Sequence, residues 1–305
     1  MNNILIFGGF GFISHNLIPK LTENFIKNSK INITYFSNSK FKLKNTESEK
    51  IDKFKCDITD FNNVEKIIKK VRPNLILHMP SSRYLENQNI EEHDKINIVG
   101  LENVLNSLRK IDNKAKVILF NSYAASYNGN FSKNINLNSY VYSKKKSSEV
   151  FFRYIQNNLI SGNEIRLSTT YGPWDYYERL IMNIILKINN KNDISLGSPS
   201  SKRDFIYVDD VVDAIIKTIN KPDLNGELLE IGTGKLNSVL DIVKKIHEFM
   251  GLKYRGFNEI NSDKTIFEIN NKNAIEKLSW APFTPINNGL KNTIKWALEN
   301  KNYYE

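Results

Sequence analysis

Near its start the chain reads Ile4-Leu5-Ile6-Phe7-Gly8-Gly9-Phe10-Gly11-Phe12-Ile13-Ser14, an apolar run that passes into glycines and then into a helical pattern. Such a run reads as a strand buried on both faces, and Phe12, Ile13, Leu17, Leu21 and Phe25 recur at helical spacing after it. Strand, glycine turn and helix in that order make a dinucleotide-binding fingerprint. Gly8 permits the tight turn, Gly11 lets backbone approach a pyrophosphate, and the next helix points its N–H groups and positive dipole end at the phosphates. Ser14 stands where the fingerprint has its third glycine, at the closest helix–strand approach, and a serine fits there with some loss.

Strand-like runs at 3–7, 31–36, 52–56, 73–79, 115–121 and 163–168 alternate with helical patterns at 12–27, 60–71, 90–111 and 138–159. That alternation predicts an α/β fold: a doubly wound parallel sheet, the Rossmann arrangement. The Rossmann domain is placed at 1–170, with 203–235 returning to it. A smaller mixed α/β lobe takes 171–202 and 236–305. In it strands are expected near 194–196, 204–208, 227–231 and 265–269, and helices near 175–189, 209–219, 238–250, 271–278 and 286–299. The lysine-rich stretch 37–50 has no periodicity and reads as a surface loop. Ligands of such sheets bind beyond the carboxyl ends of the strands, here around Gly8, Ser122 and 166–173.

The 305 residues carry a formal charge of +10, which invites a polyanion reading. The lysines, however, are scattered among asparagines and isoleucines along the whole length, so no nucleic-acid partner is expected. A small acidic substrate such as a nucleotide diphosphate suits the balance equally well. The single cysteine, Cys56, excludes an internal disulfide and fits a reducing compartment. No leader pattern and no stretch of membrane-spanning length is seen, so a cytoplasmic protein without a membrane partner is expected. His78 has no Cys, His or acidic neighbour at metal spacing, and no metal is expected.

Tyr140-Val141-Tyr142-Ser143-Lys144 places Tyr140 and Lys144 one helical turn apart on one face. A tyrosine hydroxyl titrates near 10 and serves as acid or base near neutrality only when a cation favours its anion. Lys144 supplies one, and Ser122, ending the 115–121 strand, is placed to hydrogen-bond the same substrate oxygen. A Tyr and a Lys four apart are common on solvated helix faces. The glycine loop upstream and the serine at a strand end make the catalytic reading the stronger one.

These residues together resemble the extended short-chain dehydrogenase/reductases, the family of nucleotide-sugar epimerases, dehydratases and reductases, over nearly the whole chain. The loop Gly8-Gly9-Phe10-Gly11-Phe12-Ile13 resembles the family's phosphate loop. Cys56-Asp57-Ile58 resembles its adenine-contacting pair, and Leu77-His78-Met79 its strand end beside the cofactor ribose. Asn97, Gly100 and Asn103 match its Asn-x-x-Gly-x-x-Asn segment. Tyr140 and Lys144 fall on the catalytic pair, and Ser122 on the catalytic Ser/Thr. Arg166-Leu167 and Tyr171-Gly172-Pro173 resemble the segment bordering the nicotinamide. Arg203-Asp204-Phe205-Ile206-Tyr207-Val208-Asp209-Asp210-Val211 resembles a signature whose arginine contacts the substrate diphosphate.

The resemblance implies a nucleotide-diphospho-sugar substrate whose diphosphate meets Arg203, with Arg255 available as a second arginine. Ser81, Ser82 and Arg83 after the fourth strand read either as lining of the sugar pocket or as an ordinary loop, and Trp174 either as a stacking contact for substrate or as core. The resemblance also implies a homodimer joined through helices 90–111 and 138–159. Family members specific for NAD carry an acid after the second strand. Here Ser37-Asn38 stand there with Lys40 nearby, which favours NADP(H), with NAD(H) as the alternative. Ser122 is followed by Tyr123-Ala124 where the dehydratases carry Asp-Glu, which argues against that reaction. The carboxyl-terminal pattern Ile266-Phe267-Glu268-Ile269-Asn270-Asn271-Lys272 looks most like the family's 4-keto-sugar reductases. Ketone reduction in surface-polysaccharide sugar synthesis is therefore the leading expectation, and 4-epimerisation the second. A non-catalytic NADP sensor or an RNA-associated protein on the same fold is the rival of another class.

Overall fold

The computed structural model describes residues 2–25, 29–36, 51–82, 90–127, 135–196, 198–254, 256–259 and 266–304. The expected contacts at Ser37, Asn38, Lys40, Arg83 and Arg255 lie outside the described residues. In chain order the first elements are β1 (Asn2–Phe7), α1 (Phe12–Phe25), β2 (Ser29–Tyr35), β3 (Ile51–Lys55), α2 (Phe61–Val71) and β4 (Leu75–His78). They are followed by α3 (Ile90–Asp94), α4 (Gly100–Lys110), β5 (Lys116–Ser122), α5 (Ile135–Gln156) and β6 (Ser161–Leu167). Then come β7 (Thr169–Tyr171), α6 (Leu180–Asn189), β8 (Ser195–Leu196), β9 (Lys202–Tyr207), α7 (Val208–Ile219) and β10 (Leu228–Ile231). The last are β11 (Leu236–Ser238), α8 (Val239–Phe249), β12 (Asn258–Glu259), β13 (Ile266–Phe267), α9 (Lys272–Leu278) and α10 (Ile286–Glu299).

Residues 1–166 with 218–229 form one compact unit, and 167–217 with 230–305 form another. The first unit is built on a seven-stranded sheet of order β10-β6-β5-β4-β1-β2-β3, the doubly wound Rossmann sheet. β1 pairs in parallel with β2 and β4, β2 with β3, and β4 with β5. Parallel strands covered by helices on both faces must be apolar throughout, and Leu5, Ile6, Phe7, Ile76, Leu77, Val117 and Ile118 are all fully buried. Alternate strand residues Leu5, Phe7, Ile76, Val117 and Leu119 pack with Val64, Ile68, Leu101, Val104, Leu105 and Phe151 of α2, α4 and α5. Burying each such side chain contributes about 1.5–3 kcal/mol.

The helix read over 90–111 is interrupted by a π-helical turn at Lys95–Val99. A π turn carries one extra residue and re-aims its side chains. Here it lets Asn97 turn inward, where its amide meets two buried serines.

In the second unit β9 pairs in parallel with β7 and β13 and antiparallel with β11. The segment returning to the first unit is accordingly shorter than 203–235, because β9 finds its partners in the second unit. The core there gathers Ile181, Ile185, Ile242, Ile246, Leu290 and Ile294 from α6, α8 and α10. The helix read from 175 begins only at Leu180. The preceding residues are taken up by a turn in which Gly172 (φ 147°) and Trp174 (φ 69°) leave the right-handed region. Among the described residues, no helix is long and apolar enough to cross a membrane.

Candidate active site

The site begins at the glycine turn. Gly8 has φ 83°, where a side chain is strained, and its carbonyl accepts from Gly11 N–H at 3.0 Å. A Cβ on Gly9 would stand 2.6 Å from Ile33 Cβ, so this turn lies flat on β2 only without one. The Ser14 hydroxyl donates to the Gly8 carbonyl at 2.9 Å and lies 3.3 Å from Met79 Sδ. The serine in the third-glycine position thus turns its extra atoms into a tie between α1 and the turn. Phe12 is buried and Ile13 half-buried at the start of α1. Bare backbone at Gly8 and Gly9 ahead of a helix N-terminus fits a bound dinucleotide phosphate.

The Asn97, Gly100 and Asn103 motif acquires a physical account. A Cβ on Gly100 would come within 2.9 Å of Ile58 Cγ2, and Asn103 Nδ2 donates to the Ile58 carbonyl at 2.9 Å. Asp57 Oδ1 meanwhile accepts from Thr59 N–H and hydroxyl at 2.9 and 2.8 Å. The Asp57–Ile58 turn is therefore pinned from both sides.

Asn97 is buried and donates to the Ser82 hydroxyl at 2.7 Å and the Ser143 hydroxyl at 2.8 Å, while accepting from Ser82 N–H at 3.0 Å. Asn97 was expected to meet the cofactor, and Ser82 to line the sugar pocket or an ordinary loop. In the structure both belong to a buried network that ends on α5: Ser82 is 1% exposed, and its hydroxyl also meets His93 Nδ1 at 2.9 Å. Ser81 is exposed, and its hydroxyl donates to the Ser82 carbonyl.

On α5 the Lys144 ammonium lies 5.9 Å from the centre of the Tyr140 ring, which the His93 ring meets edge-on at 5.6 Å. Lys144 is 3% exposed. Burial pulls its ammonium down to about 7, against an upward pull from Glu164. His78, at the end of β4 beside Phe7 and fully enclosed, is pushed down to about 3 by burial and then by Lys144, so it stays neutral. Ser122 ends β5, and its hydroxyl oxygen accepts from Ala124 N–H at 3.2 Å, a contact that leaves the hydroxyl hydrogen to donate elsewhere. Asn121 ties that strand end to α5 by donating to the Lys144 carbonyl at 3.0 Å.

Sequence reasoning missed Asn121 and Glu164. Asn121 follows the apolar run Val117–Phe120 of β5, which gave a signal, whereas Glu164 sits among the polar residues of β6 and gave none. Arg166, expected beside the nicotinamide, has its guanidinium bound to Glu164, Ser126 and Ser148 at 2.7–2.9 Å.

Within the second unit, Tyr171 was expected at the cofactor. It is 2% exposed, its hydroxyl lies 3.4 Å from the Ile286 carbonyl, and burial pushes it well above the usual tyrosine range. That hydroxyl is enclosed by α10, where a Cβ on Gly289 would collide with it. Trp174, read either as a substrate stack or as core, packs against Trp296 at 5.0 Å and edge-on to Tyr303 at 4.8 Å. Arg203 behaves differently. Its Nε is buried and has no hydrogen-bond partner among the described residues. A buried guanidinium N–H left unpaired is costly, and an anion would satisfy it. Asp204 beside it anchors the adjoining turn, accepting from Thr233 and Gly234 at 2.7–3.0 Å. No group of three or more His, Cys, Asp or Glu able to hold a metal occurs among the described residues.

A family model, described as the NAD dependent epimerase/dehydratase family, matches residues 4–232. The chain belongs to that family. CDP-abequose synthase of Salmonella muenchen is 27% identical over 77% of this chain and 81% of its own. Two solved structures share the fold. One is dTDP-glucose 4,6-dehydratase of Bacillus anthracis in complex with NAD, at TM-score 0.87 and 20% identity, covering 100% of this chain and 99% of that one. The other is UDP-glucose 4-epimerase of Thermotoga maritima with UDP-glucose, at TM-score 0.85 and 22% identity, covering 98% and 99%. The family match makes the protein an enzyme of the NAD-dependent epimerase/dehydratase class, and the extended short-chain dehydrogenase/reductase resemblance agrees with it.

Proposed function

We propose that the protein reduces a keto group on a nucleotide-diphospho-(deoxy)sugar, with Tyr140 as proton donor. The observation that carries this reading is the buried Lys144 ammonium facing the Tyr140 ring at 5.9 Å on one helix. When bound, NAD(P)H supplies a hydride to the carbonyl carbon. Ser122 hydrogen-bonds the carbonyl oxygen, Tyr140 delivers the proton that completes the alcohol, and Lys144 stabilises the tyrosinate left behind. Gly8, Gly11, Phe12 and Ile13 hold the dinucleotide phosphates, with Asp57, Ile58, His78 and Met79 around the adenosine half. NADP(H) is preferred to NAD(H) on the residues Ser37, Asn38 and Lys40.

Tyr123-Ala124 after Ser122 give no acid and base for eliminating water, which sets the reading apart from the dehydratase relatives. CDP-abequose synthase among the relatives supports a reductase. The test incubates the protein with NADPH or NADH and a panel of 4-keto sugar nucleotides and follows loss of the reduced nicotinamide absorbance. Inversion of a plain UDP- or CDP-hexose without net cofactor use would instead make the enzyme an epimerase.

Arg203 would pair with the substrate diphosphate. Arg203→Gln is expected to raise KM about 10–100-fold, the equivalent of one or two charge-assisted hydrogen bonds, with a smaller change in kcat. Steady-state kinetics against a substrate concentration series checks the split.

A homodimer through α3, α4 and α5 belongs to the same reading. Ile90 and Val99 before α4, and Tyr142 on α5, are exposed at 43%, 41% and 56% on neighbouring helices. Val99→Glu with Tyr142→Glu is expected to shift the molecular mass in light scattering from dimer to monomer. An unchanged mass would place any dimer contact elsewhere.

A further inference from the structure

We propose that Glu164 is a positioning residue for the Tyr140–Lys144 pair: it holds the Asn121 amide that spans Ser122 and Lys144, and it sets a fixed negative charge facing the Lys144 ammonium. The inference rests on the reading that this pair carries the proton transfer.

Glu164 is completely buried in β6, where a carboxylate has no apolar role. Its Oε1 accepts from Arg166 Nε at 2.7 Å and from Asn121 Nδ2 at 3.0 Å, and its Oε2 accepts from the Ser148 hydroxyl at 2.5 Å. The Arg166 guanidinium is itself held by Ser126 and Ser148 at 2.9 and 2.8 Å. The carboxylate is thus fixed by three donors, and its charge is offset by one adjacent cation. Replacing such a buried pair by well-packed apolar residues is often neutral or stabilising, so stability alone does not account for it.

The Asn121 amide shows another task for the carboxylate. It donates to Glu164 and to the Lys144 carbonyl, both at 3.0 Å, and its oxygen accepts from Ser122 N–H at 2.9 Å. One side chain therefore sets the strand end that carries Ser122 and the helical turn that carries Lys144. Its rotamer is fixed by Glu164.

The charge acts on the same pair. Lys144 stands 5.9 Å from the Tyr140 ring on its own helix and interacts electrostatically with His78 at the end of β4 and with Glu164 on β6, whose Oε1 lies 2.7 Å from Arg166 Nε. His78 is neutral, so Glu164 is the anion that opposes the burial penalty on the lysine. Without it the ammonium would give up its proton at lower pH and would no longer stabilise a tyrosinate at neutrality.

The test needs no turnover. The intact protein is produced with carbon-13-labelled lysine, and its lysine side chains are titrated by NMR. Lys144 is identified as the resonance lost in Lys144→Met, titrating near 7 and apart from surface lysines near 10.4. Glu164→Gln is expected to lower that midpoint by about one unit or more. Ser148→Ala, which removes a hydrogen bond and no charge, should leave it in place. Arg166→Gln, which keeps the carboxylate and removes its paired cation, should raise it. With each variant shown folded by its melting curve, an unmoved midpoint in Glu164→Gln overturns the proposal. Should that variant fail to fold, Arg166→Gln decides: a raised midpoint supports it and an unchanged one overturns it. If no keto sugar is turned over by the native enzyme, the reductase reading fails while the titration still reports on Glu164.

Discussion

Tyr140→Phe is expected to lower kcat about 10²–10⁴-fold, the usual worth of a positioned general acid, with little change in cofactor affinity. The substitution removes one oxygen. The remaining ring keeps its edge contact with His93 at 5.6 Å and its place 5.9 Å from the Lys144 ammonium. Helix α5 stays held to β5 through the Asn121 bond to the Lys144 carbonyl, and to the π turn and the segment after β4 through the Ser82, Asn97 and Ser143 network. The variant should therefore melt with the native protein and bind dinucleotide normally by fluorescence titration. It loses only the proton that turns the reduced carbonyl into an alcohol. Activity within about threefold of native would remove Tyr140 from the chemistry and, with it, the reductase mechanism. The pH profile adds a sign: the ammonium that steadies the tyrosinate is present below about pH 7, so reduction should fall as pH rises through that value.

The elements that could be read from the amino-acid order are those with long apolar signals. β1, β4 and β5 are continuous hydrophobic runs, and α2, α8 and α10 carry one apolar face each. The pleated sheet and the 3.6-residue helix impose those patterns directly. β7, β11 and β12, of two or three residues each, fall outside the strands expected from the sequence. Residues 175–179 read as the start of a helix that begins only at Leu180. The left-handed φ of Trp174 depends on a tertiary aromatic cluster that residue order does not display.

The site divides in the same way. Residues that act through backbone or through one helical turn, such as Gly8 and the Tyr140–Lys144 pair, are legible because their spacing is local. Asn97 and Ser82 are recognisable as site residues, but their protein partners Ser143 and His93 come from other elements and are set only once α5 and α3 have packed. Tyr171 shows the converse: a residue in the right segment whose hydroxyl is enclosed by a helix more than 100 positions later.

The second large effect concerns the turn from which the reading began. Gly8→Val is expected to weaken dinucleotide binding about 100-fold, or roughly 2.8 kcal/mol, and to lower the melting midpoint by several degrees. At φ 83° any side chain costs about 1–3 kcal/mol in backbone strain alone. A Cβ there would also stand 3.2 Å from Pro80 N and 3.4 Å from the Met79 carbonyl carbon, with the valine methyls still closer. Relief requires the turn to move. Moving it breaks the Ser14 and Gly11 bonds to the Gly8 carbonyl, which align the first N–H groups of α1. Gly251→Ala separates strain from site chemistry. That glycine also has a positive φ, 68°, but nothing lies within 4 Å of its Cβ position, and it belongs to the second unit. It should lose stability by a similar backbone term and bind dinucleotide as the native protein does. Equal losses of affinity in both variants would mean that the glycine turn matters only through global stability, and the phosphate-binding role of Gly8 would fall.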